Sequence, residues 1–316
     1  MIPVFYDACQ NAVSESRVSP SASKPVQAVA SWSAQGFPID LRGFAPATPE
    51  VIALAHDGDY VDGVFAGRVP NGFGSTSAAL AASLPWTVGS LVAAAQWVGR
   101  RGGVACSPTS GFHHAGHAAG GGYCTFNGLV VAALVLRAAG HSRVGILDLD
   151  FHWGNGTDDI LHCLGVTDNV LHYSFGDETQ FDGGPDGRIA GPDVVERWLV
   201  RLPGIVRAFY TGGCRVMLYQ ASADPHVDDP LGGVMTTQQM RRRDRIVFRT
   251  CAAYGMGVVW NLAGGYQSPL RRVLDLHDAT MDECVAAFRA TPVQDLAAPG
   301  GLRQPSGFEQ EVSCGE

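Results

Sequence analysis

Residues 145–160 read GILDLDFHWGNGTDDI and begin like a buried strand. Within this stretch Asp148, Asp150 and His152 alternate with the apolar Leu149 and Phe151. Side chains two residues apart on a strand point to the same face. Removing such groups from water costs several kcal/mol each unless they are paired or bind a metal. The stretch therefore predicts either a buried hydrogen-bonded network or a metal site.

The composition indicates a compact globular protein. The chain has 316 residues, of which 46% are hydrophobic and 16% charged, so one large α/β domain or two smaller domains are possible. A net charge of −8 favours neither nucleic acid nor an anionic membrane as a partner. The eight cysteines are scattered without a CxxC spacing, which favours free thiols in a reducing compartment. The N-terminus does not resemble a signal peptide, and the apolar run 129–136 is too short to span a bilayer, so we expect a soluble, cytoplasmic protein.

Short apolar runs alternate with longer helical patterns along the chain. This alternation predicts a parallel sheet with helices on both faces, in one domain covering 1–316 whose last part, 291–316, is a polar surface tail. The predicted strands are 104–107, 144–148, 170–174, 215–220 and 258–262. The predicted helices lie near 86–100, 127–139, 156–163, 194–210, 236–254 and 279–290.

Polar residues follow four of these five strands directly. The segments are SPTSGFHHAGH, DLDFHWGNG, QASADPHVDDP and NLAGGYQSP. Open parallel sheets bind ligands beyond the carboxyl ends of their strands. The four segments are therefore expected to meet at one edge of the sheet and form a functional site.

A metal site is the first chemistry that these segments predict. Asp150 and His152 leave one strand end with their side chains on the same side, and Asp224 follows another strand. Two carboxylates and one imidazole leave room for water on a metal ion, as in catalytic zinc sites. Ordinary hydrogen bonding at a strand end is the alternative, and for Asp224 alone the sequence favours it.

Adjacent histidines and a tyrosine are the candidates for proton transfer. His113 and His114 point in different directions, so each needs its own partner, and Asp148 and Asn155 are available. A carboxylate-backed imidazole has a raised pKa, whereas an amide-backed one titrates closer to neutral pH. Tyr266 follows two glycines, which would let a tight turn aim its phenol into the cleft. By contrast, His117 and His226 are interpreted as ordinary loop residues.

Four ordered blocks between about 50 and 290 resemble the histone deacetylase superfamily, which includes bacterial acetylpolyamine amidohydrolases. They are GFHHAGHAAGGGYCTFNG, DLDFHWGNGT, ADPHVDDPLGG and LAGGYQSP. The resemblance implies the arginase/deacetylase fold, a parallel sheet of about eight strands with helices on both faces. It also implies one catalytic Zn²⁺, and structural K⁺ held by backbone carbonyls near the metal motif.

The resemblance also implies a role for each matching residue. Zinc would be bound by Asp150, His152 and Asp224. The general base would be His114, backed by Asn155, while His113, paired with Asp148, would assist in protonating the leaving amine. The scissile carbonyl would be polarised by Tyr266. The substrate tunnel would be lined by Phe112, Gly122, Tyr123 and Leu231.

Departures from the family pattern concern the substrate more than the chemistry. Trp153 follows the metal histidine where a second histidine is common, and Ser222 and Ala263 replace frequent glycines. The loop 68–75 has no aspartate to hold a peptide backbone, and Leu231 stands where polyamine-selective relatives can carry glutamate. The tunnel is therefore predicted to be apolar and to suit an acyl-lysine or another neutral acylamide arm.

These observations predict a zinc-dependent amidohydrolase acting on acetyl-lysine or a related N-acylated amine. An acetylpolyamine or other small acylamide is the alternative substrate. An arginase-like ureohydrolase is disfavoured because its second metal would need carboxylates at Gly154 and His226. A catalytically silent binding protein is disfavoured because no ligand, base or tyrosine is missing. A homo-oligomer is compatible with the sequence.

Overall fold

A seven-stranded parallel sheet is the centre of the protein in the computed structural model, which describes residues 1–13, 16, 18–176 and 192–289. The strand order is β2-β1-β3-β7-β6-β4-β5, and every pairing is parallel. The strands are Ile2–Phe5 (β1), Ile39–Arg42 (β2), Val104–Ser107 (β3), Val144–Asp148 (β4), Val170–Ser174 (β5), Val216–Ser222 (β6) and Gly257–Ala263 (β7).

Nine α-helices flank the sheet within the described residues. They are Lys24–Ala34 (α1), Pro49–Ile52 (α2), Gly58–Phe65 (α3), Ala78–Arg101 (α4), Gly128–Ala138 (α5), Asn155–Cys163 (α6), Pro192–Thr211 (α7), Thr237–Ala253 (α8) and Arg271–Phe288 (α9). All five predicted strands and all six predicted helices are present. The sequence patterns did not predict β1, β2, α1, α2 or α3. The predicted surface tail, 291–316, lies outside the described residues.

Two large hydrophobic clusters, one on each face of the sheet, form most of the core. Alternate residues of a strand contribute to opposite clusters: Ile146 of β4 packs in one and Leu147 in the other, and both are fully buried. Burial on both faces explains why the first halves of the central strands β4, β6 and β7 are apolar. Helix α4 is long and apolar enough to cross a membrane, but 56% of its most apolar 18-residue window is buried inside the protein, as in a core helix.

The register of the central strands brings the polar segments together. Asp148 at the end of β4 lies opposite Gln220 of β6 and Ser174 of β5. Farther along, Ser222 of β6 lies opposite Ala263 of β7. The segments that follow these strands therefore leave the sheet at the same edge, and this edge holds the candidate site.

Candidate active site

Three candidate metal ligands converge beyond β4 and β6. One ligand atom from each of Asp150, His152 and Asp224 lies within 4.8 Å of the others, and this is the only such group of three or more His, Cys, Asp or Glu among the described residues. The Nδ1 atom of His152 is 3.1 Å from Asp150 Oδ1 and 3.0 Å from Asp224 Oδ2. Both carboxylates are buried, whereas the His152 side chain is 36% exposed. The two carboxylates of this group are thus buried, and the group is open to solvent on the side of His152.

The charges of this group suit a bound cation. Burial and the neighbouring Asp150 raise the pKa of Asp224 to about 6. Burial opposes ionisation of Asp150 as well, but His113 and His152 hold its pKa well below the usual range. Two buried carboxylates in contact repel each other, and a divalent cation between them removes that cost. The donor set of two carboxylate oxygens and one imidazole nitrogen fits a catalytic zinc site.

Short hydrogen bonds fix the third ligand, Asp224. Its Oδ1 accepts the hydroxyl of Ser222 at 2.7 Å and the backbone N–H of Phe151 at 3.0 Å. A glycine is needed opposite its other oxygen, since a Cβ on Gly264 would lie 2.6 Å from Asp224 Oδ2 and the φ there is +40°. Ser222, one of the departures from the family pattern, therefore supports a ligand directly.

His113 is the buried member of the histidine pair. Its Nδ1 is 2.7 Å from Asp148 Oδ2, and Asp148 Oδ1 accepts the amide of Gln220 at 2.9 Å. Burial alone would lower the pKa of His113, but Asp148 and Asp150 raise it to about 9. His113 is therefore protonated at neutral pH.

His114 has the opposite electrostatic setting, although the two rings are only 4.0 Å apart. Its Nδ1 is 2.6 Å from Asn155 Oδ1. Burial and the positive charge of His113 lower its pKa to about 4. His114 is therefore neutral at neutral pH and free to accept a proton. The pairings of His113 with Asp148 and of His114 with Asn155 are those that the resemblance implied.

A second metal has no ligands at the positions where an arginase-like site would need them. A Cβ on Gly154 would lie 2.7 Å from Asp148 Oδ2, so no carboxylate side chain fits there. Both ring nitrogens of His226 are already engaged, with Thr237 Oγ1 at 2.9 Å and the Asp228 N–H at 3.1 Å. The described residues thus support one metal rather than two.

Tyr266 follows a turn that two glycines make possible. The φ angles of Gly264 and Gly265 are +40° and +88°, in the region that favours glycine. Burial, then the negative charges of Asp224 and Asp150, raise the pKa of the Tyr266 phenol far above its usual range. The phenol therefore stays protonated and can donate a hydrogen bond.

The predicted tunnel residues lie in different environments. Tyr123 is half-buried, has an unusual φ of +64°, and lies 6.0 Å from the Tyr266 ring between centroids. Gly122 is exposed, and a Cβ there would lie 2.3 Å from His114 Cδ2. Leu231 is 41% exposed. Phe112 requires a correction: it is 2% exposed and packs against Gly128 in the core, so its contacts are those of a core residue rather than a tunnel wall.

Two charged residues near the site were not selected from the sequence. Lys24, the only lysine of the chain, is fully buried, and its ammonium group donates hydrogen bonds to the Gly264 carbonyl and to Ser110 Oγ. Burial lowers its pKa to about 8 despite the nearby Asp224 and Asp150. Asp229 is 5% exposed and accepts the backbone N–H of Tyr266. The sequence offered only one sign that Lys24 is special, namely that it is the single lysine of the chain.

Fold and site together define a parallel α/β protein with a candidate mononuclear metal centre at the carboxyl edge of its sheet. The sequence profile of the histone deacetylase domain matches residues 21–181, a little over half of the chain. The chain belongs to the histone deacetylase family. It is accordingly an enzyme of the deacetylase and amidohydrolase class, with the arginase-like deacetylase fold.

Individual proteins and solved structures are similar to this chain over different shares of its length. An uncharacterized protein from Picosynechococcus is 27% identical over 244 residues, which cover 72% of this chain and 78% of that protein. The acetylpolyamine amidohydrolase of Mycoplana ramosa is 31% identical over 52% of this chain and 51% of its own length. The solved structure of a Burkholderia pseudomallei acetylpolyamine aminohydrolase matches with a TM-score of 0.66 at 21% identity, over 92% of this chain and 99% of that one. The HD domain of HDA15 matches with a TM-score of 0.71 at 20% identity, over 93% and 92%.

Proposed function

We propose that the protein is a zinc-dependent amidohydrolase that removes the acyl group from an N-acylated primary amine. The observation that carries the proposal is the convergence of Asp150, His152 and Asp224 within 4.8 Å beside two histidines of opposite protonation state. When bound by these three residues, the metal ion would supply Lewis acidity, polarising a carbonyl group and lowering the pKa of a water molecule.

Proton transfer from water is the task that suits His114. Its Nδ1 faces Asn155 Oδ1, so the neutral ring carries its proton on Nδ1 and leaves the Nε2 lone pair free. The Nε2 atom would accept the proton of the attacking water. The lowered pKa keeps this nitrogen unprotonated at neutral pH, which is the state that a general base requires.

The remaining groups would stabilise charge and protonate the product. His113 is protonated and held by Asp148 at 2.7 Å, so it provides a positive charge beside the reacting carbonyl. The phenol of Tyr266 would donate a hydrogen bond to the carbonyl oxygen as negative charge develops there. The leaving amine would receive the proton that His114 took from water, and His113 would assist this transfer.

Two substrate types fit this proposal: an acetyl-lysine side chain, and a small acylamide such as an acetylated polyamine. The exposed, apolar Leu231 supports a neutral acylamide arm. The names of the Mycoplana and Burkholderia relatives support an acetylated polyamine. We also propose that the protein holds a structural K⁺ ion through backbone carbonyls near the metal motif, and that it is located in the cytoplasm.

A hydrolysis screen with defined metal content tests the proposal. The metal-free protein is reconstituted with Zn²⁺, and acetate release is measured for an acetyl-lysine peptide, N-acetylputrescine and other acylamides. We expect hydrolysis with one metal ion per chain. No hydrolysis of any acylamide by the metal-replete protein would contradict the proposal, and two Mn²⁺ ions per chain with arginine hydrolysis would favour a ureohydrolase.

Two variants assign the roles within this screen. Asp224→Ala is expected to lose both metal and activity, because one of three ligands is missing. His114→Ala is expected to keep the metal and lose about 10²–10⁴-fold in kcat, the usual contribution of a general base. Unchanged turnover in either variant would show that the corresponding role is wrong.

A further inference from the structure

Asp229 connects two parts of the candidate site through a single carboxylate. It lies five residues after Asp224, in the loop that follows β6, and is 5% exposed. Its Oδ2 accepts the backbone N–H of Tyr266 at 2.7 Å. Its Oδ1 accepts the backbone N–H of Leu231 at 3.0 Å. The same side chain therefore fixes the backbone of the proposed oxyanion donor and the backbone of the tunnel wall.

The Tyr266 turn depends on such anchoring because glycines precede it. Gly264 and Gly265 have a wide choice of backbone conformations, so little in the chain itself selects the one observed. Asp229 holds the turn at the Tyr266 N–H, and Lys24 holds it from the other end at the Gly264 carbonyl. Hydrogen bonds to ionised groups are about twice as strong as neutral ones, so these contacts restrain the turn effectively.

We infer that Asp229 is a positioning residue: by holding the backbone at Tyr266 it orients the phenol toward the substrate carbonyl, and by holding the backbone at Leu231 it fixes the tunnel wall relative to that phenol. The inference rests on the proposed role of Tyr266. Asp229 touches neither the metal ligands nor the reacting atoms through any of its hydrogen bonds, so its loss should leave metal binding intact. A displacement of about 1 Å at a catalytic group can cost about 10²-fold in rate.

The first test compares Asp229→Asn with Asp228→Asn. Asparagine has nearly the same shape as aspartate but can accept only one of the two N–H groups with its single carbonyl oxygen. The neighbouring Asp228 is exposed and serves as the matched control. With an acetyl-lysine coumarylamide as substrate, we expect Asp229→Asn to lower kcat about 10-fold at unchanged metal content. The control is expected to stay within about twofold of the parent.

The second test asks whether Asp229 acts through Tyr266. In the Tyr266→Phe variant the hydroxyl is absent, so its position no longer matters, and adding Asp229→Asn should cost less than about twofold in kcat. An equal loss in both backgrounds, or loss of metal from Asp229→Asn, would overturn the inference.

Backbone amide exchange gives a readout that needs no activity. Peptides covering 230–235 and 263–270 should exchange faster in Asp229→Asn than in the parent, while the control remains unchanged. Equal exchange in both proteins would overturn the inference. If Tyr266→Phe proved fully active, the proposed role of Tyr266 would fail, and the exchange experiment would still decide whether Asp229 holds the turn.

Discussion

The buried His56 should make folding stability depend on pH in a way that one substitution removes. His56 is 2% exposed and packs 5.4 Å from the Phe126 ring between centroids. Its Nδ1 is 2.9 Å from the Gly116 carbonyl, and its Nε2 accepts the backbone N–H of Asn127 at 2.8 Å. Only the neutral ring can donate at Nδ1 and accept at Nε2, so protonation breaks the contact with Asn127.

The magnitude follows from the lowered pKa. Burial lowers the pKa of His56 to about 4, against about 6.5 for an unperturbed histidine. Below pH 6.5 the unfolded chain binds a proton at this position that the folded protein rejects, so stability falls as the pH falls toward 4. Between pH 7 and pH 5 this linkage is worth about 2 kcal/mol of unfolding free energy.

Urea unfolding followed by circular dichroism at pH 7 and pH 5 measures the effect. His56→Gln is expected to be less stable than the parent at pH 7. Between pH 7 and pH 5, however, it should lose about 2 kcal/mol less unfolding free energy than the parent loses. His162→Gln, at an exposed helical position, controls for the loss of an imidazole. If the parent and His56→Gln lost the same free energy between the two pH values, the assigned protonation state of His56 would be refuted.

Three further substitutions test the site and its support. Asp148→Asn removes the carboxylate that holds the proton on His113, so the pKa of His113 should fall below about 9, as followed by NMR titration of its imidazole. Gly154→Ala places a Cβ 2.7 Å from Asp148 Oδ2 and should cost about 1–3 kcal/mol of stability in urea unfolding. In the parent, the Arg243 Nε lies 2.8 Å from the buried carboxylate of Asp244. Arg243→Met leaves this carboxylate without its counter-ion, so we expect a loss of about 3–5 kcal/mol of unfolding free energy. The double variant Arg243→Met/Asp244→Leu should recover part of the lost stability in urea unfolding, because it also removes the unpaired carboxylate. No recovery would contradict the ion-pair explanation.

The central part of the fold was predictable because its elements have strong local patterns. Strands β4 and β6 begin with the apolar runs VGIL and VMLY, which burial on both faces of a parallel sheet favours. By contrast, β2 has the sequence IDLR and lies at the edge of the sheet, where it is only partly buried. Its strand character comes from pairing with β1, a contact that no local pattern reveals.

The site was predictable to the extent that its residues occur in compact motifs. The motif residues from Asp148 to Asn155 and the histidine pair all lie at the expected edge. Phe112 was misjudged because its neighbours along the chain are site residues, whereas its ring turns away into the core. Asp229 was missed because its importance depends on a turn more than thirty residues away.

The sequence by itself determined which chemical groups meet at the carboxyl edge, since parallel strands must end there and the polar segments follow them directly. It also determined the fold class through the alternation of strands and helices. Only the tertiary structure decided the protonation states of His113 and His114, since both are imidazoles with the same intrinsic pKa and differ in their partners. It likewise decided that Lys24 and Asp229 restrain the Tyr266 turn, because burial and hydrogen bonding between distant segments are set only when the chain has packed.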